Sequence, residues 1–247
     1  MGLNFCSTCG TRLSDDAAFC ASCGTSVLPQ ASTPNPNLQT GGKLYRLGGL
    51  AKALRIGYIL NTCALFALAM CLFYRASLLH DIANWRRVST QDAIDADNMV
   101  AGAVSGQIFV NLVVLILLII WAWRATKNLQ AWDAPLKWRP GWAIAGWFIP
   151  IGMLWIPYQV VRDAWRLAPM SEKGPANQQN GTWLFGFLTW WGSIVLLRIG
   201  GLGEAPDAMR NTQVIAGFGA LLGCASAIAI FVAIGQISRR QDQAHTA

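Results

Sequence analysis

Four predominantly apolar runs, at 56–74, 107–123, 183–201 and 213–237, constrain this chain more than any other feature. Each is close to the roughly 20 residues that a helix rising about 1.5 Å per residue needs to bridge a hydrocarbon core of about 30 Å. Lipid offers no partner to a backbone N–H or C=O, so a crossing segment must satisfy its own, as an α-helix does. With 54% hydrophobic and 13% charged residues, the chain reads as an all-α integral membrane protein of four transmembrane helices. A formal charge of +7 would point to nucleic acid in a soluble chain. Here Lys and Arg flank the apolar runs, where they set orientation and attract anionic lipid headgroups.

A fifth apolar run, 142–161, behaves differently. It lies within Trp121–Ala168, which holds eight of the twelve tryptophans, and it contains Pro150 and Pro157. Each proline removes a backbone donor and frees a carbonyl, which hydrocarbon cannot satisfy. Counting Lys and Arg separates the two geometries open to it. If the run turns back, residues at 43–55, 124–139, 162–173 and 239–240 place thirteen cations on one side, against Arg75, Arg86, Arg87, Arg198 and Arg210 on the other. If it crosses, the split is ten against eight. The positive-inside bias favours a Pro-broken re-entrant or interfacial element, with both termini cytosolic.

Cys6, Cys9, Cys20 and Cys23 form two C-x2-C pairs, each followed by a glycine, Gly10 or Gly24. Two such knuckles bring four thiolates into a tetrahedron, which suits zinc, and the closed shell makes the ion structural. A unit this small buries too little apolar surface to fold alone, so the metal supplies its folding free energy. The first 24 residues resemble the short bacterial zinc ribbons that begin many membrane proteins, a likeness that implies an adaptor or sensor role. Residues 25–42, rich in Ser, Thr, Pro, Asn, Gln and Gly, read as a flexible linker. Beyond it the membrane domain occupies 43–240 and a polar tail 241–247.

Local signals add detail. Lys43, Arg46, Lys52 and Arg55 alternate with Leu44, Leu47, Leu50 and Leu54, either as an amphipathic lead-in to the headgroup layer or as an ordinary basic flank. Asn61 in the first span expects a hydrogen bond from a neighbouring helix, with Asn111 the plausible partner. Ser89 and Asp92 match a capping box, so the first two helices should continue past the membrane and turn near Arg87–Ser89, with a tip roughly 15–25 Å outside. Trp121, Arg124, Asn128 and Trp132 fall on one helical face, as a Trp belt with a basic, amide-bearing stripe. Gly219 and Gly223 form a G-x3-G face that packs the last helix within the chain or, alternatively, across a homo-oligomer. Cys63, Cys71 and Cys224 read as small packing residues.

The pattern W-x2-R-A-x2-N-L at 121–129, followed by R-P-G-W at 139–142 and W-F-I-P and L-W-I-P-Y-Q-V-V-R-D-A-W-R up to Arg166, resembles a bacterial multi-pass family, domain of unknown function 4328. The likeness extends over about 47–240 and includes Gln236. It implies a small integral protein of the bacterial inner membrane, with no assigned activity to carry over.

Enzyme chemistry has little to work with. The two histidines, His80 and His245, lie outside the spans, no Asp or Glu lies within an apolar run, and Ser193 and Ser226 have no base nearby in sequence. Two readings remain. One is a non-enzymatic sensor, scaffold or assembly factor whose cytosolic ribbon recruits a protein. The other is a small channel or solute carrier using the broken element. Residues 1–24 hold one basic residue, Arg12, against Asp15 and Asp16, which disfavours nucleic acid as the ribbon's ligand.

Overall fold

Helix α1 (Gly48–Ala83) carries the first apolar run and continues well beyond it at both ends. In the computed structural model, which describes residues 22–23, 43–168, 180–199 and 206–244, it is followed by α2 (Thr90–Ala131), α3 (Trp142–Ala145), a 3-10 turn (Gly152–Leu154), α4 (Ile156–Arg166), α5 (Asn180–Ile199) and α6 (Pro206–Ala244). No strand occurs among these residues. The chain forms two compact units, Met1–Leu38 and Gln39–Ala247. The first contributes only the turn at Ser22 and Cys23 to the described residues, so the helices belong to the second.

Among the described residues three helices, α1, α2 and α6, are long and apolar enough to cross a membrane. The third expected apolar run forms the 20-residue helix α5. At 36 and 42 residues, α1 and α2 are roughly 54 and 63 Å long, well beyond a hydrocarbon core of about 30 Å. They form the expected hairpin, joined through Asn84–Ser89. Trp85 adopts the left-handed region there at φ 58° and is almost fully exposed. Ser89 Oγ accepts from Gln91 N at 3.1 Å, but Asp92 does not close the box. Its side chain is a methylene shorter than the Glu that usually reaches back. Gln91 instead donates to Asp95 at 2.9 Å.

Helix α1 packs between α2 and α6, and α6 between α1 and α5, giving the spatial order α2–α1–α6–α5. Glycines set the closest approaches: a Cβ on Gly219 would lie 2.7 Å from Leu196, and one on Gly186 would lie 2.8 Å from Ile230. Gly219 and Gly223 therefore serve packing within the chain. Helix α6 is central, with 56% of its most apolar stretch buried, whereas α2 buries only 17% and presents Phe109, Leu112 and Ile116 outward. An outward face of that kind requires lipid.

Lys43–Leu47 has no regular structure and α1 begins at Gly48, ahead of the apolar run that starts at 56, with Leu47 and Leu54 wholly buried in the core. Residues 142–161 form no continuous helix. Pro150 lies in the turn before the 3-10 segment, and Pro157 stands in the first turn of α4, where a missing N–H costs nothing. Trp183, near the start of α5, donates to Tyr158 O at 3.2 Å, and Gln241, near the end of α6, donates to Ala164 O at 3.3 Å. The chain thus leaves α2 and enters α5 at the same end of the bundle, where α1 begins and α6 ends.

Candidate functional site

At that end, side chains clasp the backbone that enters the membrane unit. Asn128 Oδ1 accepts from Tyr45 N at 2.7 Å and its Nδ2 donates to Tyr45 O at 2.8 Å, so one amide occupies both backbone groups of Tyr45 as a neighbouring strand would. Nδ2 also lies 3.1 Å from Gln241 Oε1, and Asp242 Oδ1 accepts from Leu47 N at 2.8 Å. Trp121 Nε1 donates to Ser238 Oγ at 2.8 Å. These contacts give the W-x2-R-A-x2-N-L pattern a physical meaning: its Trp and Asn tie α2 to α6 and to the incoming chain. The expected Trp belt is corrected accordingly, since Trp121 and Asn128 are buried, at 0% and 1% exposure. Arg124 does face outward, over the ring of Tyr45, which also packs on Trp123. Tyr45, Gln241 and Asp242 escaped sequence reasoning, because a partner that is backbone leaves no pattern of its own.

Helices α2 and α5 face one another across a cleft of about 680 Å3, with α1 and α6 as its floor and Trp147 of the broken element among its lining residues. Asn61 meets Gln107 there, Nε2 donating to Oδ1 at 2.9 Å. The expected partner Asn111 lies one turn further along α2, exposed and also lining the cleft. A pairing drawn by depth alone cannot resolve a single helical turn. Gln107 Oε1 is buried and has no hydrogen-bond partner. Cys224 behaves as a packing residue whose thiol donates to Thr62 O.

At the opposite end the polar residues engage one another. Arg75 pairs with Asp97 at 2.6 Å, Arg86 with Asp81 at 3.1 Å, and Arg210 lies 2.9 Å from His80 Nδ1. Among the described residues no cluster of His, Cys, Asp or Glu is placed to hold a metal. The expected metal donors are the four N-terminal cysteines. Cys6, Cys9 and Cys20 lie outside the described residues, and Cys23 is exposed in its turn.

Comparison with known proteins agrees with this division. A zinc-ribbon domain model matches residues 5–27, which include all four cysteines. No curated protein and no solved structure matches the chain. A model described as a domain of unknown function, DUF4328, matches residues 84–239, from the hairpin turn to the last turns of α6, a span that holds Trp121, Asn128 and Gln107 but not α1, Tyr45, Gln241 or Asp242. With more than half of its length so matched, the chain belongs to the DUF4328 family.

Proposed function

We propose that this protein is a non-enzymatic membrane scaffold or sensor whose zinc ribbon captures a protein partner at the cytosolic face. The observation that supports this reading is the double hydrogen bond between Asn128 and the backbone of Tyr45, reinforced by Asp242 on Leu47. The chain following the ribbon and linker is thereby anchored to α2 and α6 as it enters the membrane. A module whose task is recruitment needs such a mount; a membrane helix alone would insert without it. In this reading Cys6, Cys9, Cys20 and Cys23 hold one structural zinc. All four long helices cross, α5 being long enough at 20 residues, and the broken element lies at the cytosolic interface. Phe148 and Ile151, at 75% and 67% exposure, then enter the headgroup and acyl boundary rather than water.

Removal of residues 1–42 tests the recruitment role. Crosslinking in the native membrane should lose its ribbon-dependent partners, while insertion and thermal stability of the helical unit stay unchanged. The same crosslinked set with and without the ribbon would refute it. A solute carrier is the second reading, favoured by the partly polar cleft. Flux of a neutral solute into liposomes, abolished by filling the cleft with Ser193→Trp, would support it.

A further inference from the structure

The cleft between α2 and α5 has features that an accidental packing gap would lack. It follows α1 from Tyr58 to Arg75, roughly 25 Å of helix, and its volume of about 680 Å3 falls within the range of ligand sites. Most of its wall is hydrocarbon, with Leu65, Leu68 and Leu72 on α1 facing Val100 and Val104 on α2. Two cations stand at the end nearer the hairpin. Arg75 is held there by Asp97, while Arg198 is exposed and has no acceptor among the described residues. Among the described residues no Asp or Glu lines the cleft. Ten residues along α2 from Asp97, or roughly 15 Å deeper, Gln107 is only 8% exposed and its carbonyl oxygen has no donor. An anion is therefore favoured at one end, a hydrocarbon chain along the middle and a hydrogen-bond donor at depth.

We propose that this cleft binds one single-chain anionic lipid, its carboxylate at Arg75 and Arg198 and a mid-chain hydroxyl donating to Gln107. The charge complementarity sets the headgroup and its orientation. The unsatisfied acceptor sets the chemistry of the chain, since a plain methylene leaves Gln107 as it is. A cavity of this size admits one chain rather than a whole diacyl lipid. The site does not depend on what the ribbon captures.

The test uses full-length protein in detergent micelles with octadecanoate, 12-hydroxyoctadecanoate and octadecanol as probes, with binding read by native mass spectrometry. The hydroxy acid should bind about tenfold more tightly than octadecanoate, the equivalent of one recovered hydrogen bond of about 1.4 kcal/mol. The neutral alcohol should bind at least about tenfold more weakly than octadecanoate, for the lost charge-assisted contacts. Gln107→Leu should abolish the hydroxyl preference and leave octadecanoate affinity intact. Arg198→Gln should weaken both acids and spare the alcohol. A diazirine-bearing fatty acid, used on the unaltered protein and so independent of any variant's folding, should label cleft residues such as Val104 and Ile194. Equal binding of the three probes would overturn the proposal. So would labelling confined to the outward residues of α2, or displacement of the diazirine probe from the cleft by a diacyl phosphatidylglycerol that binds more tightly than either acid.

Discussion

Asn128 carries more of this structure than any other single polar residue. Its amide satisfies a backbone donor and acceptor of Tyr45 and reaches Gln241 from a site 1% exposed. Asn128→Ala should therefore destabilise the protein by about 3 kcal/mol, within the range for several buried groups left unpaired. Urea or SDS unfolding in micelles measures the loss, and a change below about 0.5 kcal/mol would contradict the clasp. Trp121→Phe, which keeps an aromatic ring but removes the donor to Ser238 and leaves a cavity in the core, should cost about 2 kcal/mol in the same assay. The sequence marked Trp121 and Asn128 as members of a pattern, yet it suggested an interfacial belt. Helical spacing shows that residues share a face; whether that face meets lipid or another helix depends on the neighbours. The Asn61 pairing failed in a milder way, by one turn, because Asn111 and Gln107 lie on the same side of α2 at similar depth.

At the scale of elements, glycine separates helices that pack from helices that do not. A Cβ on Gly219 would meet Leu196 at 2.7 Å and the backbone N of Leu197 at 3.1 Å, and backbone cannot swing aside. Gly219→Ala should force α5 and α6 apart at a cost of about 1–3 kcal/mol, read as a lower unfolding midpoint. Gly102 and Gly106 on α2 have nothing within 4 Å of a built Cβ. Alanine at either should be neutral or stabilise by about 0.5–1 kcal/mol through helix propensity alone. Equal effects at Gly219 and Gly102 would contradict the packing described. The G-x3-G spacing of the last helix was readable from sequence because close approach demands small residues. The cleft was not readable, since its lining of Leu, Val and Ile is the same set that faces lipid elsewhere on these helices. The broken character of 142–161 followed from its two prolines.

At the scale of the whole molecule, the chain's direction through the bundle yields a topological test. The proposed crossings place Arg86, at the hairpin turn, on the side opposite Lys137, which follows α2. In a chain lacking residues 1–42 and with Cys63, Cys71 and Cys224 replaced by Ala, a cysteine at either position should react with a membrane-impermeant maleimide from opposite faces of the membrane. Reaction from the same face would refute the crossing of α2.

The two ends of the bundle are also secured very differently. At one, Asn128, Asp242, Trp121 and Gln241 lock four segments together through buried hydrogen bonds. At the other, α1 is joined to α2 by the Arg75–Asp97 pair, whose Asp is 62% exposed, and to α6 by the exposed Arg210–His80 contact. Exposed pairs of that kind are worth only about 0–1 kcal/mol each. In its polar ties the assembly is thus built like tongs, riveted at the grip and held at the jaws by apolar packing, of Gly219 on Leu196 and of Phe73 on Phe218. Any displacement of α2 from α5 must pivot about the rivet and grow with distance from it, so the cationic mouth opens before the amide floor does. Backbone amides at 121–131 and 234–242 should exchange deuterium far more slowly than those at 76–106, and an even profile along α2 would show that there is no pivot.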